Sequence, residues 1–325
     1  MQGQNNTLSR RTVLLALASV AAAGRALAQN NVVRFILPNA TGSGVDAIVR
    51  AASPALGKAL NANVVVDNQA GAGGIVGLQA LARAPADGSV LSVVSNNVVI
   101  FPSVIRSLPF DMPGDFTPIA IVGATPMVLV VNPAKMPANN AREFFALLKA
   151  KPGGYNFGSG GNGTILHLAS EMVLEAGGAT ARHIPYKGVG PMVTDLMGGQ
   201  IDFATAALPS VQGQIKSGAL RPIGLLTAQR TPAAPEIPTF AEQGLTNFSL
   251  DAWFAVIGPK GLSAANVKKA HEAVVAAFAD PAVKEAMARQ GNTISISTTE
   301  QAQLAFRSEM AKYAALVKKV GLEPQ

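Results

Sequence analysis

Short apolar runs of strand length alternate along the chain with longer amphipathic segments of helix length. Val32–Leu37 is such a run, and a Gly-containing turn at residues 38–44 joins it to a helical segment that opens with polar residues. Residues 155–170 (YNFGSGGNGTILHLAS) repeat the order of strand, Gly-rich turn and helix. This alternation predicts βαβ units, largely parallel sheets and an α/β fold.

The two Gly-rich junctions are candidate anion sites. The first turn of a helix carries unpaired backbone N–H groups and a partial positive charge, so it can hold a carboxylate. Ser43, Ser159, Asn162 and Thr164 add side-chain donors in the two turns. Ligands of α/β sheets bind beyond the carboxyl ends of the strands, so the two junctions predict two lobes that face one cleft.

The same patterning predicts the remaining elements. Further strands are expected at residues 63–67, 89–94, 127–132, 182–185, 201–205, 221–226, 249–257 and 293–296. Further helices are expected at residues 75–83, 141–149, 191–197, 209–216, 264–279, 281–290 and 300–320, and residues 109–118 are a turn-rich connector. The run at 249–257 is expected to return to the first lobe, which gives lobe 1 residues 29–128 and 250–325, and lobe 2 residues 129–249. A chain that crosses twice between lobes is typical of a hinge.

Residues 1–28 predict an export signal. Arg10 and Arg11 precede an apolar run at residues 13–23, and small residues end at Ala28, the expected cleavage site. Residues 9–14 approximate a twin-arginine (Tat) signal, with Val13 where Phe is more usual, and an ordinary Sec signal is the alternative. The apolar run is too short for a permanent membrane anchor. Either signal predicts an exported, periplasmic protein.

Composition narrows the class of protein. The chain has 325 residues, 49% of them apolar and 14% charged, which is ample for a large core. Three of the basic residues behind the net charge of +7 lie in the predicted signal, and the others are scattered, so no nucleic-acid partner is predicted. The sequence has no cysteine, which excludes disulfides, thiolate catalysis and zinc–thiolate sites.

Two phosphate-binding motifs are approximated and disfavoured. Residues 42–47 match G-x-G-x-x-A, with Asp67 at the end of the next strand, as in a dinucleotide fingerprint. Four residues separate Leu37 from Gly42, whereas the fingerprint turns almost directly off its strand, and an exported protein meets little NAD. Residues 158–164 lack the lysine of a P-loop.

No catalytic or metal constellation is predicted. His167, His183 and His271 stand in no recognisable context for nucleophilic catalysis. His167 and Glu171 are spaced to share one face of a helix, but a lone surface pair is expected because no third metal ligand is indicated. Trp253 and Phe254 fit a pocket or, more commonly, a core.

Several motifs in their order resemble those of the receptors of the tripartite tricarboxylate transporter system, also called the Bug family. They are Gly42-x-Gly44-x-Asp46, residues 64–74 (VVVDNQAGAGG) with 84–88 (APADG), residues 155–167, residues 184–199 (IPYKGVGPMVTDLMGG) with 208–210, and residues 251–258. The resemblance runs from about Val32 to the C-terminus. It implies a two-lobe type II periplasmic-binding-protein fold that closes by a hinge on a small carboxylate in the interdomain cleft. It also implies no catalysis, no cofactor and no metal, and delivery of the ligand to a two-subunit membrane permease.

The resemblance also implies the ligand-binding residues. Carried over position by position, they are Asn39, Ala40, Thr41, Gly42, Ser43, Gly44, Asp46, Asn68, Ser95, Ser159, Gly160, Asn162, Gly163, Thr164, His167 and Ala206. Asn39, Thr41 and Ser43 replace the aromatic, Pro and Gly that are usual in the family. Ala206 stands where an acidic or amide residue is common. A polar hydroxy- or dicarboxylate is one candidate ligand.

Two other functions remain open at the level of sequence. One is a sensor whose liganded form docks on a membrane receptor instead of a permease. The other is an exported hydrolase that uses Ser159 or His167. A monomer is the expected state of a receptor that opens and closes.

Overall fold

The computed structural model describes residues 31–245, 248–250, 252–322 and 324. The predicted export signal and its cleavage site lie outside these residues. The strands are β1 (Val32–Leu37), β2 (Asn63–Asn68), β3 (Val90–Ser95), β4 (Phe116–Thr125), β5 (Met127–Val131), β6 (Asn156–Ser159), β7 (Arg182–Pro185), β8 (Phe203–Ala207), β9 (Arg221–Leu225), β10 (Ala252–Pro259) and β11 (Thr293–Ile294). The helices are α1 (Gly44–Leu60), α2 (Ile75–Ala82), α3 (Asn97–Val104), α4 (Ala141–Ala150), α5 (Ile165–Gly177), α6 (Val189–Met197), α7 (Leu208–Lys216), α8 (Ala264–Ala279), α9 (Pro281–Arg289) and α10 (Thr299–Lys319). In the described ranges no helix has the length and apolar character needed to cross a membrane.

The strands form two sheets. The first sheet has six strands in the order β11-β4-β10-β3-β1-β2, and the second has five in the order β7-β6-β8-β5-β9. Parallel pairing joins β1 to β2 and β3, and β6 to β7 and β8. The expectation of largely parallel sheets is wrong, because β10 and β5 run antiparallel to both of their neighbours. Each of these two strands enters its sheet from the other sheet, so it arrives without the helical crossover that a parallel strand requires.

The chain passes between the sheets at two places. Pro126 alone separates β4 of the first sheet from β5 of the second. The second passage lies between the end of β9 at Leu225 and the start of β10 at Ala252. All five residues of β5 and all eight of β10 are buried, as expected for central strands covered on both faces.

The two helices that follow the Gly-rich turns begin with side-chain caps. Ser43 caps α1 by accepting the N–H of Asp46 at 3.2 Å, and Thr164 caps α5 by accepting the N–H of His167 at 3.4 Å. Such caps satisfy one of the unpaired donors of the first turn and stabilise a helix by about 1 kcal/mol. The apolar face of α1 packs on the first sheet, and that of α5 packs in the core around the second sheet.

Helix α3 and strand β4 were not predicted. In α3 the six residues 97–101 and 104 are buried, so the segment shows no helical alternation of apolar and polar positions. A short, apolar, β-branched run of this kind cannot be distinguished from a buried strand by periodicity. The connector expected up to residue 118 is shorter, because β4 begins at Phe116.

Candidate ligand-binding site

A cavity lies between the two sheets where the Gly-rich turns meet. Its empty volume is about 760 Å³, counting the part that opens to solvent. Residues that follow β1 and β3 line the cavity on the side of the first sheet, and residues that follow β6 line it on the side of the second. The β4–β5 junction and β10 form much of the remaining wall. This volume and this mixture of apolar wall and polar turns are typical of a small-molecule site.

The first turn is held from behind by the carboxylate of Asp46. Its Oδ2 accepts the N–H of Gly42 at 3.0 Å, and its Oδ1 accepts from Arg50 Nε at 2.9 Å and from Asn68 Nδ2 at 3.0 Å. Asn68 Nδ2 also donates to the carbonyl of Asn39 at 3.2 Å. Burial raises the pKa of Asp46, but the hydrogen bonds from Arg50, Gly42 and Asn68 outweigh this effect and the net pKa is lowered. Asp46 and Asn68 therefore fix the shape of the turn.

The second turn is held in the same manner by its own side chains. Ser159 Oγ accepts the N–H of Gly161 at 3.1 Å, and Thr164 Oγ1 donates to the carbonyl of Gly161 at 2.8 Å. The N–H of Gly163 donates to His167 Nδ1 at 3.2 Å. Because Nδ1 accepts, the ring proton of neutral His167 lies on Nε2, which is 3.6 Å from Glu171 Oε1. The turn is thus held by hydrogen bonds within its own segment.

A stacked pair of histidines supports the second turn from below. The rings of His167 and His183 are 3.7 Å apart and inclined by 11°, and His183 Nε2 lies 2.7 Å from Ser159 Oγ. Burial and the neighbouring His167 lower the pKa of His183 to about 3. His167 is itself buried, so the expectation of a lone surface pair with Glu171 is wrong. In the described residues no group of three or more His, Asp or Glu is placed to hold a metal.

Helix N-termini converge on the cavity. Of the helices that the structure describes, α1, α3, α5, α6 and α7 each place a cap or first-turn residue in the cavity wall. The N–H groups of Gly44 and Val45, at the start of α1, make no hydrogen bond to the described part of the chain. Among the wall residues only Lys187 carries a charged side chain, and it forms no ion pair with a described residue. The electrostatic character of the cavity is therefore positive.

Turns from the two sheets touch each other around the cavity. Asn97 Oδ1, from α3, accepts the N–H of Ile165 at the start of α5 at 2.7 Å. A Cβ atom placed on Gly188 would lie 2.8 Å from Ala40 Cβ, and one on Gly44 would lie 3.0 Å from Ala207 Cβ. These close approaches describe a closed arrangement in which small residues let the two halves meet.

The structure places the predicted residues in two layers. Those that line the cavity are Asn39, Ala40, Ser43, Gly44, Ser95, Gly160 and Thr164. The others lie outside the wall: Thr41 and Gly42 are exposed on the first turn, Asp46 and Asn68 brace it, Ser159, Asn162, Gly163 and His167 belong to the second turn or its support, and Ala206 is buried in β8. A role in ligand binding stays a prediction for all of them.

Several wall residues were not predicted from the sequence. Lys187 and Gly188 lie in the IPYKG segment whose motif was noted, but no local signal distinguished them as cleft residues. Thr125 and Met127 flank the passage of the chain between the sheets, which only the sheet topology reveals. Trp253, for which both a pocket and a core position were considered, occupies both: it lines the cavity, its ring lies 5.3 Å from that of Phe306, and its Nε1 donates to Glu309 Oε2 at 3.1 Å.

Comparison with known proteins gives the family. The model of the tripartite tricarboxylate transporter family receptor matches residues 48–322. Protein BugT of Bordetella pertussis is 35% identical over 291 residues, which are 89% of each chain. Two solved structures superpose on 90% of this chain, over 98% of the length of each. One is a periplasmic transporter, with 35% sequence identity and a TM-score of 0.86, and the other is the periplasmic binding protein BugD, with 30% sequence identity and a TM-score of 0.85. The predicted two-lobe fold of periplasmic binding proteins is therefore confirmed, and the chain belongs to the receptor family of the tripartite tricarboxylate transporters, as a ligand-binding receptor for a transporter.

Proposed function

We propose that this protein binds a small carboxylate between its two lobes in the periplasm and passes it to a two-subunit membrane permease without chemical change. Lobe 1 comprises residues 29–128 and 250–325, and lobe 2 comprises residues 129–249. Residues 1–28 are the export signal, of the Tat or Sec kind, with cleavage near Ala28. The receptor acts as a monomer.

The convergence of helix N-termini is the observation that carries the proposal. Each N-terminus contributes roughly half a positive charge and a set of oriented N–H donors. One hydrogen bond to a charged group stabilises by about 1.5–3 kcal/mol, so four or five, less the cost of ordering, are enough for roughly −8 kcal/mol, a micromolar affinity. The family name points to carboxylates, which are anions of the size that these turns can hold.

The Ser159–His183 contact does not favour a hydrolase. Ser159 is fully buried, and its Oγ lies 3.0 Å from the carbonyl of Gly161, to which it donates. No described carboxylate forms an ion pair with His183 that would orient it as a general base. The family is one of receptors and its solved neighbour BugD is a periplasmic binding protein, which supports a receptor without turnover.

Calorimetric titration with mono-, di- and tricarboxylates, after refolding to remove carried-over ligand, tests the proposal. Ligand at a hundredfold excess over Kd stabilises the native state by about 2.7 kcal/mol, so a thermal-shift screen identifies candidates first. Ser43→Leu and Thr164→Leu place a bulky apolar group at two N-termini in the wall, and we expect both to abolish binding.

Ser263→Leu is the matched control for these variants. Ser263 caps α8 by accepting the N–H of Asn266 at 3.2 Å and does not line the cavity. It loses the same kind of cap, worth about 1 kcal/mol, and should bind as the wild type does. Binding that survives in both wall variants, or an absence of carboxylate binding in the wild type, would overturn the proposal.

A further inference from the structure

The amide of Asn39 is an unusual group in the wall of the cavity. Its Oδ1 is buried and accepts no hydrogen bond from a described residue. The backbone carbonyl of the same residue is satisfied, because it accepts from Asn68 Nδ2 at 3.2 Å. A buried acceptor without a donor costs free energy, so its retention here calls for a donor that the polypeptide does not supply.

Asn39 stands at a fixed point of the site. It lines the main cavity and a smaller adjoining space of about 160 Å³ that Ser95 and Asn97 also line. The three hydrogen bonds accepted by the carboxylate of Asp46, and the bond from Asn68 Nδ2 to the Asn39 carbonyl, hold the backbone of the turn and so fix the point from which the Asn39 side chain extends. A group of the ligand that enters here meets an amide whose backbone is fixed and whose Oδ1 still lacks a donor.

The charge around the cavity decides which donor fits. Helix N-termini surround the space, and Lys187 is the only charged side chain in the described wall. The carboxylate of Asp46 is already engaged by three donors on the outer side of the turn. An ammonium group would meet positive potential with no free anion to balance it. A hydroxyl is neutral and can both donate to Oδ1 and accept from Nδ2.

We propose that the Asn39 amide recognises a hydroxyl that the ligand carries beside its carboxylate, so that the site selects hydroxycarboxylates over the same acids without the hydroxyl. This inference rests on the proposed function. It goes further in assigning one residue to one functional group of the ligand. A site that is built to bond a hydroxyl discriminates against the analogue that lacks it, because the buried amide is then left unpaired.

The test uses pairs of acids that differ by a single hydroxyl: lactate and propionate, malate and succinate, citrate and tricarballylate. Aspartate extends the malate pair with an ammonium group at the same carbon. Titration calorimetry of the mature chain gives both affinities in every pair. For the pair that binds, we expect the hydroxy acid to bind at least tenfold more tightly, and aspartate to bind more weakly than malate.

Asn39→Leu replaces the amide by an apolar group of similar size. We expect it to bring the two members of the pair within about twofold, mainly by weakening the hydroxy acid. Asn39→Ala serves the same purpose if the leucine variant does not fold. Lys187→Gln is the control in the same wall: it should weaken both members equally and keep their ratio.

The outcomes separate the two levels of the argument. Failure of every carboxylate in the panel to bind overturns the proposed function. Carboxylate binding with equal affinity within each pair overturns only the role of Asn39, as does a preference that persists unchanged in both Asn39 variants. If aspartate binds more tightly than malate, the site prefers an ammonium group to a hydroxyl, and this also overturns the inference.

Discussion

The imidazole ring of His183 lies flat against that of His167, with ring centroids 3.7 Å apart, while its Nε2 contacts Ser159 Oγ at 2.7 Å. Phe157 closes the stack on the other side at 4.9 Å from His183. Glu171 is the charged group that faces the pair, through His167 Nε2. A proton on His183 would therefore place an imidazolium against an aromatic ring and a second histidine, directly beneath the second turn.

The pH dependence of stability should reflect this pair. Burial and His167 lower the pKa of His183 from 6.5 to about 3, so between these values the unfolded chain binds a proton that the native protein does not. The contribution of neutral His183 is thus fully present above pH 6.5 and is lost as the pH falls towards 3. We expect the melting temperature to fall less steeply with acidification in His183→Gln than in the wild type. Thermal melts between about pH 7.5 and about pH 4 measure this. Identical slopes in wild type and His183→Gln would contradict the assignment.

Gly163 should control closure of the two lobes. Its φ is +69°, and a Cβ there would lie 2.2 Å from Val104 Cγ2, across the boundary between the second turn and α3. Gly153 has nearly the same backbone conformation, φ +66°, with nothing within 4 Å. Both substitutions by Ala should cost about 1–2 kcal/mol of unfolding free energy through the backbone alone. Gly163→Ala alone should also weaken ligand binding by about tenfold or more, as measured by titration calorimetry. Equal effects of the two variants on affinity would show that Val104 gives way.

Asn97 should stabilise the closed form specifically. Its Oδ1 accepts the N–H of Ile165, so in Asn97→Ala that donor is buried without a partner when the lobes meet but is free to bond water when they separate. We expect about a tenfold loss of ligand affinity. Small-angle scattering should show a smaller ligand-induced compaction than in the wild type.

Asn132→Ala is the control for this loss. Asn132 is buried within the second lobe, where its Nδ2 donates to the carbonyl of Leu196 at 2.8 Å, away from the cavity. The substitution Asn132→Ala should lower the melting temperature and leave the ligand affinity unchanged. An unaffected affinity in Asn97→Ala would mean that its bond to Ile165 does not contribute to closure.

Asp46 should support binding without contacting the ligand. Asp46→Ala removes the acceptor of three hydrogen bonds, so we expect a loss of about 1–3 kcal/mol in unfolding free energy and a weaker affinity as the first turn loosens. Asp67→Ala removes a half-exposed carboxylate that pairs with Arg34 at 3.5 Å, and should cost at most about 1 kcal/mol. Denaturant titration and calorimetry compare the two. If Asp46→Ala loses no more unfolding free energy than Asp67→Ala, Asp46 does not hold the first turn in shape.

Local sequence signals were sufficient for much of the fold. The segments Val32–Leu37 and Arg182–Pro185 are strands with the predicted bounds, and α8 spans Ala264–Ala279 as predicted. The caps Ser43 and Thr164 start helices where a polar residue precedes an amphipathic segment. These features depend on neighbouring residues alone, so the sequence exposes them directly.

The features that escaped prediction depend on contacts between distant parts of the chain. The antiparallel course of β5 and β10 follows from which sheet each strand joins, and no local pattern encodes this. His183 reaches Ser159 only because β6 and β7 pair in a register that sets His183 beside Phe157. Lys187 enters the cavity wall for the same reason, since it is the second residue after the end of β7.

The single residue between β4 and β5 has a mechanical consequence. Thr125 and Met127, on either side of Pro126, both line the cavity. The link that joins the two sheets is therefore part of the cavity wall. Proline fixes its own φ and restricts the residue before it, which leaves the link few torsions to adjust. A ligand that fills the space therefore restricts this link, and we expect it to restrict any movement of one lobe against the other. We then expect a membrane permease that contacts both lobes to distinguish the liganded receptor from the empty one by their different shapes, without contacting the ligand.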